Sequence, residues 1–147
     1  MEQARISLTI RAQRQGLVEI TRKIAAWLAE QKVSDGLLTV FIRHTSASLL
    51  IQENVDPEVQ RDLESFLMAL VPESSTDYRH IAEGPDDMPA HIKGALTQTH
   101  LSIPVSARRM MLGKYQGIFL FEHRASPHER SLVLTLIGEE HEPPRFG

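Results

Sequence analysis

The run Leu37-Leu38-Thr39-Val40-Phe41-Ile42-Arg43 decides the fold. It is too short to span a bilayer and too apolar for an edge, so it reads as a strand at the centre of a sheet. Gly117 to Arg124, GIFLFEHR, reads as a second buried strand, with Ile118, Leu120 and Glu122 on one side and Phe119, Phe121 and His123 on the other. Toward the amino terminus, Arg5 to Arg11 alternates with Ile6, Leu8 and Ile10 on one face, the pattern of a half-buried strand. Ser102 to Ser106, Arg109 to Leu112 and Ser131 to Ile137 read as further short strands. The period changes over Thr21 to Gln31, where Ile24, Trp27 and Leu28 share a helical face and Thr21 is placed as the cap. A second helix is capped by Asp56, opened by Pro57 and Glu58 and stopped by Pro72, with Val59, Leu63, Phe66, Leu67 and Leu70 as its buried stripe. The polar stretch from Ser74 to Asp87 has no period, and a short helix follows it, with Asp87 near the cap and Pro89 in the first turn. The expected fold is α+β: one compact domain over residues 1–147, with a largely antiparallel or mixed sheet, two to three helices and a frayed tail over 141–147.

The chain has 147 residues, 16 Lys and Arg against 19 Asp and Glu, and no cysteine. Disulfides, thiolate metal sites and thiol nucleophiles are therefore excluded, and any metal must be held by His, Asp or Glu. A net charge of -3 argues against a general nucleic-acid binder. The amino terminus is charged throughout and lacks a long apolar core, so neither a signal peptide nor a membrane anchor is expected, and the cytoplasm is the default location.

Three places concentrate reactive side chains. In the first, His44 continues the parity of Leu38, Val40 and Ile42 and is followed by the hydroxyls of Thr45, Ser46 and Ser48, which suit an anionic group. An imidazole on an apolar face is a structural core residue about as often as a site residue. In the second, Glu53 and Asn54 precede Asp56, which is explained as a cap, and they suit a cation or substrate hydroxyls. The third pairs the acidic turn at Glu83–His91, where Asp87 and His91 share a helical face, with Glu122-His123-Arg124 at the end of a buried strand. A structural Glu–Arg pair is the competing account there. His44, His80, His91 and His123 all fall in polar segments, and two or three converging imidazoles suit zinc or a related ion, although no HExxH or HxH spacing is present.

The strings HTSASLLIQENVDPEVQRDLE (44–64), YRHIAEGPDDMPAHIKGAL (78–96) and LGKYQGIFLFEHR (112–124), in this order and spacing, resemble the YjbQ-like family, also known as uncharacterised protein family UPF0047 and as secondary thiamine-phosphate synthase. The resemblance covers nearly the whole chain. It implies a homotrimer with clefts near the subunit boundaries, and a weak activity joining a pyrimidine pyrophosphate to a thiazole phosphate with release of pyrophosphate. It also implies a divalent metal ion, zinc or magnesium, with His44, His91 and His123 as ligands. Glu122, His123, Arg124 and Glu53 are the catalytic candidates. Thr45, Ser46, Ser48, Asn54, Asp86, Asp87, Gln116 and Lys114 are the substrate-binding ones. One motif departs from the family's usual Gly-Thr-Trp-Gln-Gly: here it reads Gly113-Lys114-Tyr115-Gln116-Gly117, which adds a cation and keeps an aromatic wall. A histidine-metal hydrolase of a small phosphorylated or acyl substrate, and a trimeric metabolite-binding module without turnover, are the alternatives. The expected partners are further copies of the chain and a small anionic metabolite, with no nucleic acid and no membrane.

Overall fold

The computed structural model describes residues 1–74 and 76–141, so the tail from 142 onward lies outside the described residues. Its elements are β1 (Glu2–Ala12), β2 (Gly16–Glu19), α1 (Thr21–Ala29), β3 (Asp35–Ile42), β4 (Ala47–Glu53), α2 (Pro57–Leu70), α3 (Asp87–Leu96), β5 (His100–Ser106), β6 (Arg109–Met110), β7 (Gln116–Glu122) and β8 (His128–Glu139). Two sheets form where one was expected. One has the order β1-β8-β3-β5-β6 and the other β2-β7-β4, and the strand pairs are antiparallel.

Both apolar runs sit centrally, as their composition requires. β3 lies between β8 and β5, and β7 between β2 and β4. Leu38, Val40 and Ile42 of β3 meet Ile118 and Leu120 of β7, with Leu132, Leu134 and Leu136 of β8 and Ile24 and Leu28 of α1, in one buried cluster between the sheets. The other face of β7 carries Phe119 and Phe121, which bury with Leu17 against Leu63 and Leu67 of α2. The alternation of β7 thus serves two cores.

Three local readings are corrected. β4 begins inside the hydroxyl-rich stretch expected to cradle an anion, because Ala47 and Leu49 are fully buried there and the strand pairs with β7 from Ala47↔Glu122 to Glu53↔Gln116. Thr21 begins α1 but does not cap it: its hydroxyl donates to Glu19 Oε2 (2.8 Å) and accepts from the Ile118 amide (2.9 Å). The stripe of α2 is buried only in part, since Phe66 is 64% and Leu70 55% exposed. The Asp56 cap forms as expected, with its carboxylate accepting from the Glu58 amide at 3.0 Å.

Candidate metal centre

The antiparallel register of β4 and β7 splits the candidate residues between two ends of the small sheet. Glu53, Asn54, Gln116 and Lys114 lie at the end where Glu53 pairs with Gln116; Ser46, Ser48, Glu122, His123 and Arg124 lie at the end where Ala47 pairs with Glu122. The six residue steps from Ala47 to Glu53 span about 20 Å at the strand rise, so the two groups do not share one site within a chain. At the first end the polar groups hold local structure. Gln116 Oε1 accepts from the Gly113 amide (2.7 Å) and closes the turn, Asn54 Nδ2 donates to Glu19 Oε2 (3.0 Å), and Glu53 Oε2 accepts from the Asp56 amide (3.3 Å). Lys114 stacks over the Tyr115 ring, 5.5 Å from its centroid.

At the second end, among the described residues, His80, Asp87 and His91 present ligand atoms that all lie within 4.8 Å of one another. Asp87 Oδ2 lies 2.6 Å from His80 Nε2 and 3.1 Å from His91 Nε2. The helical spacing of Asp87 and His91 puts both on one face of α3, and the loop after Tyr78 brings His80 across with the two rings edge to face, centroids 5.5 Å apart. His91 Nδ1 lies 3.2 Å from the Thr45 carbonyl. A carbonyl can only accept, so Nδ1 donates there, and Nε2, which faces the Asp87 carboxylate, is the nitrogen at which a cation would take the place of a proton, the arrangement that orients metal-binding histidines. Gly94 permits this approach, because a Cβ there would stand 2.9 Å from the same carbonyl oxygen.

Arg124 clamps the acidic turn onto the end of β7. Its Nε donates to Asp86 Oδ2 (3.0 Å), its Nη1 pairs with Asp87 Oδ1 (2.8 Å) and its Nη2 donates to the Glu83 carbonyl (3.0 Å). Burial alone would raise the Asp87 carboxyl, but the His80 hydrogen bond and the Arg124 charge outweigh it and hold the group below the usual carboxylate range. For Asp86, burial is likewise outweighed by Arg124. The Asp86 hydrogen bond in turn raises Arg124.

His44 and His123, expected as ligands beside His91, are held elsewhere. His44 Nε2 accepts from the Ser131 amide at 2.8 Å and its Nδ1 faces Arg130 Nη1 at 3.3 Å, while burial and then the Arg130 charge lower its pKa. His123 is fully buried, with Nε2 2.8 Å from Ser48 Oγ, its ring packed on Phe121 and Nδ1 without a hydrogen-bond partner among the described residues. Burial, followed by the charges of Lys93 and Arg130, lowers its pKa to about 3. Ser48 Oγ also lies 2.6 Å from Thr97 Oγ1.

Glu122 is fully buried and pairs with Arg130, which is 3% exposed; Arg130 Nε donates to Oε1 at 2.7 Å. The Arg124 amide also donates to Glu122 Oε2 (3.2 Å), and Arg130 Nη2 donates to the Ser46 carbonyl (3.2 Å). This pair braces the 44–46 segment that supplies the Thr45 carbonyl, and gives Glu122 no path to a substrate. Three important residues lie outside the expected ligand set of His44, His91 and His123 and outside the catalytic candidates, although His80 is one of the four histidines in polar segments. His80 sits in aperiodic text and Arg130 in an ordinary strand. Lys93 reads like any surface lysine of a helix, yet it is 1% exposed, with its Nζ donating to Met68 Sδ at 3.4 Å.

Taken together, the fold and the cluster define a small two-sheet α+β domain with a two-histidine, one-carboxylate centre at the end of a buried strand. The chain belongs to the UPF0047 protein YjbQ-like family, whose model matches residues 6–139. It is 51% identical over 132 residues to UPF0047 protein sll1880 of Synechocystis sp., covering 90% of each chain. It is 42% identical to UPF0047 protein YjbQ of Escherichia coli O157:H7, over 90% of this chain and 96% of that one. Among solved structures, the uncharacterised YjbQ/UPF0047 protein of Clostridium acetobutylicum superposes with a TM-score of 0.82 at 32% identity, covering 90% of this chain and 99% of its own. The conserved hypothetical protein TT1486 of Thermus thermophilus gives 0.81 at 35%, with the same coverage. Among the described residues no helix is long and apolar enough to cross a membrane.

Proposed function

We propose that the chain is a divalent-metal-dependent enzyme of small phosphorylated molecules, with His80, Asp87 and His91 holding the ion. The observation that carries this reading is the convergence of the three ligand atoms within 4.8 Å, with His91 oriented by the Thr45 carbonyl. Two imidazoles and one carboxylate suit zinc or a similar borderline ion and leave a coordination position free. When bound, such an ion supplies Lewis-acid activation at a phosphoryl group and neutralises charge on a departing phosphate or pyrophosphate. The chain does the rest. Asp87 is held at one oxygen by Arg124, and that fixes the direction of the other. A hollow of 450 Å³, walled by Tyr78, Ile81, Pro85 and Met88, opens beside His80 and gives a small substrate room next to the cluster.

Thiamine-phosphate synthesis is a secondary activity in this reading, because pyrophosphate departure asks mainly for charge neutralisation and for positioning of the thiazole nitrogen. A homotrimer belongs to the same proposal. Its support is two uncovered apolar faces: Phe66 and Leu70 on α2, and Leu37, Phe41 and Ile137 on the outer face of the larger sheet, where Leu37 pairs with Ile137. A native mass three times the 16.6 kDa of one chain is the expected result. A cytoplasmic location, where phosphorylated metabolites are kept, is part of the same reading.

The test is to strip the protein with a chelator and assay phosphate release from a panel of phosphomonoesters, and thiamine phosphate formation, before and after adding Zn²⁺ or Mg²⁺. Turnover should vanish on stripping and return with one of the ions, and Asp87→Asn should lower it about 100-fold or more. Turnover indifferent to the chelator contradicts the proposal. Ligand-induced stabilisation without product would instead mark a metabolite-binding module.

A further inference from the structure

The wall that carries His91 opens into a cleft running away from the cluster along the end of β3. A hollow of 230 Å³ has His91 in its lining, and a second of 490 Å³ has Arg43; they share His44, Thr45 and Thr99 and so run together. Among the described residues no acidic side chain lines either hollow. The other arginines of this region are committed, Arg124 to the acidic turn and Arg130 to Glu122. Arg43 is different. Only its backbone is engaged, through a hydrogen bond from its amide to the Ser131 carbonyl at 3.1 Å. Its guanidinium makes no hydrogen bond or ion pair with the described residues, and it stands exposed at the outer end of the cleft. The hydroxyls of Thr45 and Thr99, which line both hollows, and of Ser46, which lines the one with Arg43, likewise make no hydrogen bond among the described residues.

A free planar fork of donors, rotatable hydroxyls and no carboxylate nearby make a recognition surface for an oxyanion, best matched by a phosphate that takes two parallel N–H bonds from the guanidinium. We infer that this cleft is the substrate-recognition arm of the His80–Asp87–His91 centre, and that Arg43 is its specificity-determining residue, binding a terminal phosphate group of the substrate. The inference rests on the reading of that cluster as the reacting centre. It adds that the substrate carries an anionic group away from the reacting one, with a body of a size to fill the 230 Å³ between them.

Calorimetry with phenyl phosphate tests this on the purified chain, loaded with one equivalent of Zn²⁺, as wild type, Arg43→Ala and Arg43→Lys, with zinc content measured on each sample. The wild type should bind; Arg43→Ala should weaken binding tenfold or more; Arg43→Lys should recover part of the loss, since a point charge replaces the fork; and zinc content should be equal in all three. Equal affinity of wild type and Arg43→Ala overturns the assignment, as does failure of the wild type to bind. Arg43-dependent binding by a chain that retains no zinc supports the anion cleft and refutes the metal centre, so the two readings fail separately.

Discussion

Glu122→Ala will unfold this protein well below the wild-type melting temperature. The substitution leaves the Arg130 guanidinium, 3% exposed, without its carboxylate, and removing one partner of a buried pair costs about 3–5 kcal/mol. For a chain of this length that amounts to a fall on the order of 10 °C. The damage should reach the candidate centre, because Arg130 also holds the Ser46 carbonyl beside Thr45, and the Thr45 carbonyl orients His91. Glu122→Ala combined with Arg130→Met should recover much of the loss, since no charge is then left buried alone. Thermal melts of the three proteins decide it. A single variant melting within a degree or two of wild type would return Glu122 to the catalytic role its sequence position suggested.

The second large effect is acid lability through His123. Burial keeps the folded imidazole neutral down to about pH 3, whereas the unfolded chain takes up that proton near pH 6.5. Between these values the unfolded state binds more protons, so stability rises with pH: the full contribution is present above about 6.5 and is lost progressively as pH falls toward 3. At 1.36 kcal/mol per pH unit the gap amounts to about 5 kcal/mol. Urea unfolding measured from pH 7 to 4 should show this slope, and His123→Gln should remove about one proton from it. Asp35, Asp86 and Asp87, whose lowered pKa values also favour the folded state at higher pH, are common to both proteins and cancel in the comparison. Identical slopes would mean that His123 is protonated in its pocket, with Ser48 and a second acceptor as partners.

How much was legible follows from what a side chain alone reveals. β7 could be read because a strand buried on both faces must be apolar on both, and β3 because it is apolar on both faces too, although Leu37 and Phe41 stand on a face that is left exposed. β4 is less sharply marked, because Ser48, Gln52 and Glu53 interrupt its apolar Ala47, Leu49, Leu50 and Ile51 and it starts directly after the hydroxyl-rich 44–46 segment. The single sheet expected from a run of strands became two because Phe119 and Phe121 need a cover of their own, which α2 provides through Leu63 and Leu67.

The candidate site was half legible. Asp87 and His91 were paired correctly by helical spacing, a local property; His80 comes from a loop whose path no periodicity encodes. Grouping His123 with His91 treated nearness to polar sequence as nearness in space; His44 does line one hollow with His91, but its ring nitrogens face the Ser131 amide and Arg130. The strand register places His123 inside the sheet end, against Ser48, and gives His44 to the Ser131 amide. The same register carried Glu53, Asn54 and Gln116 to the far end of the small sheet, where their hydrogen bonds close turns and support a helix start. Glu122 was correctly suspected of an arginine partnership. The partner is Arg130 on β8, because a strand end turns its neighbour Arg124 toward the acidic turn.

The central claim is that His80, Asp87 and His91 bind one divalent ion. Elemental analysis by mass spectrometry of the purified, untagged chain tests it most directly, alongside His80→Ala, Asp87→Asn, His91→Ala, His44→Ala and His123→Gln. About one zinc or related ion per chain in the wild type, lost in the first three variants and retained in the last two, is the predicted result. A metal-free wild type after supplementation with Zn²⁺, or metal content that survives His91→Ala and falls with His44→Ala or His123→Gln, would contradict it.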